Sequence, residues 1–177
     1  MSKVYGDALF AAAKDLAAID QAYEEVTALR DIFAENMDLR KILNSPKISR
    51  EEKAQTIHTI FEHQVSDMLM GFLITVVNKG RQAEFERIFS YFISIVKEYK
   101  GIGVASVVSA MPLTKLQEEE IEKKLLATTE YNQMEMNYSV DESLIGGMTI
   151  RIKDRVIDSS IKTKLYNIKK NLLNVQI

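Results

Sequence analysis

The sequence of 177 residues has no cysteine, no tryptophan, two histidines, two prolines and seven glycines. Without cysteine there is no disulfide, thiolate zinc site, iron–sulfur cluster or thiol nucleophile. An excess of one charge is also missing: 23 Lys and Arg face 25 Asp and Glu, a formal net charge of -2. No global basic field exists to gather nucleic acid or anionic lipid, so generic binding of either is disfavoured. Long apolar runs are lacking as well. The longest, Met68 to Val77, is interrupted by Gly71 and Thr75 and is about half of what a bilayer requires. The N-terminal stretch MSKVYGDALFAAAKDL mixes cations with anions and has no signal-peptide core. The expectation is a chain that stays in the cytoplasm unless a partner holds it at a membrane. What remains is a composition 46% hydrophobic and 27% charged, ordinary for a globular protein of one domain or two small ones.

The first hundred residues carry a helical period and almost no strand signal. Tyr5, Leu9, Ala12, Leu16 and Ile19 fall on one stripe, and Ala22, Val26, Leu29 and Phe33 on the next. A short helix around Leu39 to Leu43 ends before Asn44-Ser45-Pro46, because Pro46 forces the preceding residue out of the α region. Ser49-Arg-Glu-Glu52 is a capping box that opens a helix with Ala54, Ile57 and Phe61. Val65, Leu69, Phe72 and Val76 define another, stopping near Gly80, and Phe85, Phe89, Phe92, Val96 and Tyr99 a sixth, ended by Gly101-Ile-Gly103. Six helices with brief connections predict a bundle over residues 1–103.

After Gly103 the period changes. Val104 to Ala110 reads as a strand closed by Pro112, and Thr114-Lys-Leu-Gln117 caps a helix holding Leu116, Ile121 and Leu125. Met134, Met136, Tyr138 and Val140 alternate with polar residues, which predicts a strand with one dry face. Met148, Ile150 and Ile152 alternate again, Lys153-Asp154-Arg155 can turn, and Val156-Ile157 can return beside them. Ile161, Leu165, Ile168 and Leu172 make a last amphipathic helix, with Asp158, Ser159 or Ser160 able to cap it. Residues 104–177 therefore read as a small α/β domain, and the fold class is α+β overall. Charge is uneven there: residues 115–142 hold 3 cations and 8 anions, residues 151–170 hold 7 and 2. Such stretches are either solvated faces or a polar rim for an oppositely charged helix.

No catalytic, cofactor or metal site is expected. His58 and His63 are five apart, so a regular helix does not set them on one face as metal ligands. No Ser sits in a nucleophile elbow, and the clustered acids Glu118, Glu119, Glu120 and Glu122 lie on a wet helix face. Gly101-Ile-Gly103-Val-Ala-Ser106 follows a helix and precedes a strand, the reverse of a phosphate-binding loop. Gly146-Gly147 precedes a strand, where a tight turn or close backbone contact explains it.

The most informative feature is an excess of apolar surface. Met68, Leu69, Met70, Phe72, Leu73, Ile74, Val76 and Val77 cover every side of their helix. Either this helix is central in the bundle, or one side packs inward and the other lines a groove for a partner helix. The first helix adds a small-residue surface of Ala8, Ala11, Ala12, Ala13 and Ala17, over which a helix could approach closely or which simply packs tightly.

Three motifs carry a family resemblance. Tyr5-Gly-Asp-Ala-Leu-Phe10 is similar to an opening Tyr-Ala-x-Ala-Leu-Phe, with Gly6 for Ala; Asn78-Lys-Gly-Arg81 is similar to a helix-ending Asn-x-Gly-Arg. Leu144-Ile-Gly-Gly-Met-Thr-Ile-Arg151, then Val156-Ile-Asp-Ser-Ser160 and Lys164-Leu165, resembles the signature of the delta subunit of bacterial F-type ATP synthase, a family related to the mitochondrial oligomycin-sensitivity-conferring protein. Ser159 stands where that family usually has Gly, and Lys3-Val4 where some members have Arg-Pro. The resemblance covers the whole chain.

It implies a non-catalytic stator subunit, peripheral on the cytoplasmic face of the bacterial cell membrane, without cofactor. Such a protein links the catalytic head to the peripheral stalk and resists torque during proton-driven ATP synthesis. The family's N-terminal bundle receives the N-terminal helix of an alpha subunit in a groove between its first and fifth helices. That carries Tyr5, Ala8, Leu9, Ala12, Met70, Leu73, Ile74 and Val77 over as groove residues. Gly146, Gly147, Asp158 and Ser160 are structural signature residues, and the C-terminal domain would hold the end of the b-subunit stalk. No nucleic-acid partner and no membrane insertion are implied. The alternative is an RNA-binding regulator, since the helical bundle also resembles that of transcription antitermination factors; the acidic first half and the appended α/β domain count against it.

Overall fold

The computed structural model describes residues 2–174, so residues 175–177 of the expected second domain lie outside it. The fold is mixed α+β. Six α-helices precede the first strand: α1 Ser2–Asp15, α2 Ile19–Glu35, α3 Met37–Asn44, α4 Arg50–Phe61, α5 Asp67–Asn78 and α6 Phe85–Tyr99. Then come β1 Ile102–Ser109, α7 Lys115–Thr128, β2 Gln133–Val140, β3 Met148–Ile152, β4 Arg155–Asp158 and α8 Ile161–Asn174. Backbone packing divides the chain into two compact units between Lys97 and Glu98. Gly103, read from sequence as part of the boundary, lies buried inside β1.

In the first unit the helical faces share one apolar core. Leu9, Val26, Leu29, Ile57, Leu69, Leu73 and Ile88 are sealed in it. Phe33 stacks with Phe61 and meets Phe85 and Phe89 at ring-centroid distances of 5.2 and 5.6 Å, in the tilted and edge-on geometries that aromatic quadrupoles favour. The Ser49–Glu52 capping box is formed in both directions. Three sequence expectations fail here: Val65 lies before Ser66, the N-cap of α5, Tyr99 at the end of α6 is 56% exposed, and Leu16 leaves its stripe. Leu16 is 64% exposed, because α1 ends at Asp15 and Ala17 turns the chain with φ +51°.

The second unit is a four-stranded sheet in the order β2-β1-β3-β4, with β1 parallel to β2 and antiparallel to β3, and β3–β4 a hairpin. Parallel pairing of β1 and β2 requires a crossover, and α7 supplies it. Its capping box of Thr114 and Gln117 is formed, and its Ile121 and Leu125 pack on Ala105 and Val107 of β1 and Met134 of β2. The dry face expected along β2 is dry only at its start: Met134 is buried, whereas Tyr138 and Val140 are exposed. The stripe of α8 is likewise uncovered, as none of its described side chains joins this core.

Candidate docking site

The α5 helix sets the geometry of the first candidate surface. Leu69, Leu73, Val76 and Val77 are buried, Met68, Met70, Phe72 and Ile74 are half-buried, and Gly71, Thr75 and Asn78 are exposed along one line. The all-round apolar helix is therefore not enclosed. Its outer seam has a glycine at the centre, with nothing within 4 Å of where a Cβ would stand.

Both ends of α5 are held by charges from other helices. At its start Ser66 is the N-cap, and Glu25 of α2 accepts hydrogen bonds from the Ser66 backbone N–H at 3.0 Å and from its hydroxyl at 2.8 Å. At its end Arg50 of α4 donates to the Asn78 carbonyl at 3.1 Å. An anion at the N-terminus and a cation at the C-terminus are the signs that the helix dipole favours. The Asn78-Lys-Gly-Arg81 motif is itself a helix stop: Gly80 takes φ +68°, and the Arg81 N–H returns to the Val76 carbonyl. No local pattern announces Glu25 or Arg50, since their partners lie 41 and 28 residues away.

Packed against α5 is α1. Gly6 of α1 abuts Tyr91 of α6, with room for no Cβ: one would lie 2.5 Å from Tyr91 Cδ1. The Tyr91 hydroxyl donates to Asp7, and Lys3 lies over its ring. This close contact accounts for glycine where the related motif has alanine. Away from Gly6, Ala8 and Ala11 are exposed, and Tyr5 and Ala12 half-buried. Of the eight residues carried over as groove residues, Leu9, Leu73 and Val77 are at most 1% exposed and belong to the core. Tyr5, Ala8, Ala12, Met70 and Ile74 keep surface that a partner could cover, and Val4, Ala11, Gly71 and Thr75 extend it beyond the expected set.

The signature glycines of the second unit fasten α8. The Gly146 carbonyl accepts from the Ile161 N–H at 2.9 Å, the Gly147 carbonyl from Ala110 at 3.3 Å, and the Met148 carbonyl from Ser159 at 3.0 Å. Asp158 accepts from the Ser160 N–H at 2.8 Å and from the Thr163 hydroxyl at 2.7 Å, while the buried Ser160 hydroxyl caps the Thr163 N–H. Hydrogen bonds from Ser160 and Thr163 hold the Asp158 carboxyl down to about 2 from its ordinary 3.8. Ser159 is not among the positive-φ residues, so this position demands no left-handed angle.

His58 and His63 are exposed beside Glu62, and among the described residues no cluster of ligating side chains could hold a metal ion. Nor is any helix among them long and apolar enough to cross a membrane.

Comparison with known proteins gives these surfaces a setting. The family described as ATP synthase delta (OSCP) subunit matches residues 1–172. An ATP synthase subunit delta of Lachnoclostridium phytofermentans is 49% identical over 177 residues, all of this chain and 97% of the relative. One of Trichormus variabilis is 32% identical, covering 98% of this chain and 94% of the relative. Among solved structures, a chain of the Toxoplasma gondii mitochondrial ATP synthase hexamer superposes with a TM-score of 0.79 at 19% identity, covering 98% of this chain and 97% of that one. This last likeness is one of fold.

Proposed function

The chain belongs to the ATP synthase delta (OSCP) subunit family, and from that premise we propose that it joins the catalytic head of the synthase to its peripheral stalk, catalysing nothing itself. As a family member it is a stator component of the F-type ATP synthase and works among that complex's other subunits. In this reading α1 to α6 are the family's six-helix bundle, and residues from 98 onward form the stalk-binding domain. The assembled protein sits at the cytoplasmic face of the membrane, held by its partners. The RNA-binding alternative gains nothing, since the family match runs through both units.

The observation that carries the head-binding part is the open seam of α5. A helix rich in apolar residues, pinned at both ends and uncovered along Gly71 and Thr75, leaves Met70 and Ile74 half-buried, and the adjoining α1 leaves Ala8 and Ala11 exposed. Small residues allow close approach, and flanking apolar side chains supply burial at roughly 25 cal/mol per Å². The occupant is the amphipathic N-terminal helix of an alpha subunit. Leu9, Leu73 and Val77 shape the floor from within the core, while Tyr5, Ala8, Ala12, Met70 and Ile74 make the contacts.

Titration of the full chain with a peptide matching the N-terminus of the cognate alpha subunit tests this. Ala8→Asp buries a charge at the interface, at a cost of about 2–4 kcal/mol, so affinity should fall by roughly 30- to 1,000-fold. Circular dichroism should remain that of the parent, because Ala8 is exposed. A folded variant with unchanged affinity would remove the site assignment.

A further inference from the structure

Among the described residues, the hydrogen bonds that tie α8 to the rest of its unit lie at its start: the Ile161 N–H to Gly146, the Ser160 cap, the Thr163 hydroxyl to Asp158, and Lys162 Nζ to the Ser143 hydroxyl at 3.2 Å. Beyond that, Ile161, Leu165, Ile168 and Leu172 are 42, 52, 55 and 70% exposed. Their spacing of four, three and four residues is not the broad stripe of a helix lying on a sheet. It is the narrow two-heptad seam of a coiled coil, alternating d and a positions. In that register Lys162 and Lys169 occupy e positions and Lys164 a g position, the places that select a partner by charge. No Asp or Glu occurs from Ile161 to Asn174.

This pattern sorts the candidate occupants. A second copy would set lysine against lysine along both flanks, which disfavours self-pairing in either orientation. A membrane surface calls for a wide apolar face, and among the described side chains of α8 only Tyr166 adds exposed apolar surface beside the four seam residues. The acidic α7 of the same chain is committed elsewhere, its Ile121 and Leu125 being buried against the sheet. An extended helix with apolar a and d residues and Glu or Asp at e and g meets every feature. We propose that α8 is one strand of a heterotypic coiled coil, completed by such an acid-flanked helix; this rests on the reading that the second unit receives the stalk, and it names the surface and chemistry of that contact.

The test uses the full chain and three probes: a four-heptad peptide with Leu and Ile at a and d and Glu at e and g, the same peptide with Lys at e and g, and the C-terminal segment of the cognate stalk protein b. The glutamate peptide should bind, more weakly as salt rises, and the lysine peptide at least about tenfold less well. Lys164→Glu with Lys169→Glu should invert that preference, and Leu165→Asp should abolish both bindings; all three residues are exposed, so the fold is retained. Equal binding of the two peptides, binding that survives Leu165→Asp, self-association in sedimentation, or capture by phosphatidylglycerol vesicles in preference to the peptide would overturn the proposal. A b segment that binds parent and Leu165→Asp chains equally overturns the α8 assignment and leaves the stalk reading standing. A b segment that fails to bind the parent chain, while the glutamate peptide binds through α8, overturns the stalk reading and supports the surface.

Discussion

Adding one methyl group to each of the two adjacent signature glycines should have very unequal consequences. At Gly147 the backbone has φ +78°, and a Cβ would lie 2.5 Å from the Ser159 carbonyl oxygen and 3.2 Å from the Ser160 Cα. Left-handed alanine costs roughly 1–2 kcal/mol, and a clash with backbone that cannot rotate away adds about 1–3 kcal/mol. Against these stands a gain of about 0.4–1 kcal/mol from the stiffer unfolded chain. Gly147→Ala should therefore cost about 3 kcal/mol. At Gly146 the Cβ would meet only the half-exposed Ile161 side chain, its Cδ1 at 2.6 Å and its Cγ1 at 3.3 Å, and φ is not left-handed. Gly146→Ala should fall within about 1 kcal/mol of the parent. The assay is residue-resolved hydrogen exchange at the Ser159 and Ile161 amides, which are bonded to the Met148 and Gly146 carbonyls. About 3 kcal/mol is a loss of protection of more than a hundredfold for Gly147→Ala, against less than about tenfold for Gly146→Ala. Similar protection in the two variants would refute the claim that the signature is a fastening for α8.

The Asp158 carboxyl, lowered to about 2 from 3.8, stabilises the fold above the ordinary carboxylate range, and that stability is lost as pH falls from about 4 through 2. Fraying of α8 followed by exchange or NMR should set in over that window, and Asp158→Asn should flatten the dependence while weakening the helix start at neutral pH. In the first unit, Glu25→Ala removes two acceptor contacts at the half-buried α5 N-cap and should cost about 1.5–3 kcal/mol in thermal unfolding. Arg50→Gln removes one exposed contact at the other end and should cost less than about 1 kcal/mol. The reverse order would show that α5 is not held chiefly at its start.

How much of this was legible in the sequence follows from what periodicity can encode. Both capping boxes and the Gly80 helix stop were readable because they are local, with donor and acceptor within a few residues. Leu16 was misjudged because α1 stops at Asp15 without glycine or proline, in a turn that Ala17 makes with φ +51°. Strand alternation identified the inner face of β2 but could not say how far α7 would reach along it, so Tyr138 and Val140 are more exposed than expected. In α5 the period loses its power altogether: with apolar residues all round, nothing in the sequence separates buried Leu73 and Val77 from half-buried Met70 and Ile74. The clasps at Glu25 and Arg50 were invisible because they join residues far apart in the chain.

The central claim, that one small chain bridges head and stalk through two separate surfaces, is tested most directly by calorimetry on the full chain. It would be saturated with the N-terminal peptide of the cognate alpha subunit and then titrated with the C-terminal segment of the stalk protein b. The account predicts one site for each, formation of a ternary complex, loss of only the alpha peptide in Ala8→Asp and loss of only the b segment in Leu165→Asp. Competition between the two ligands for one surface, or loss of both on a single substitution in a folded chain, would contradict it.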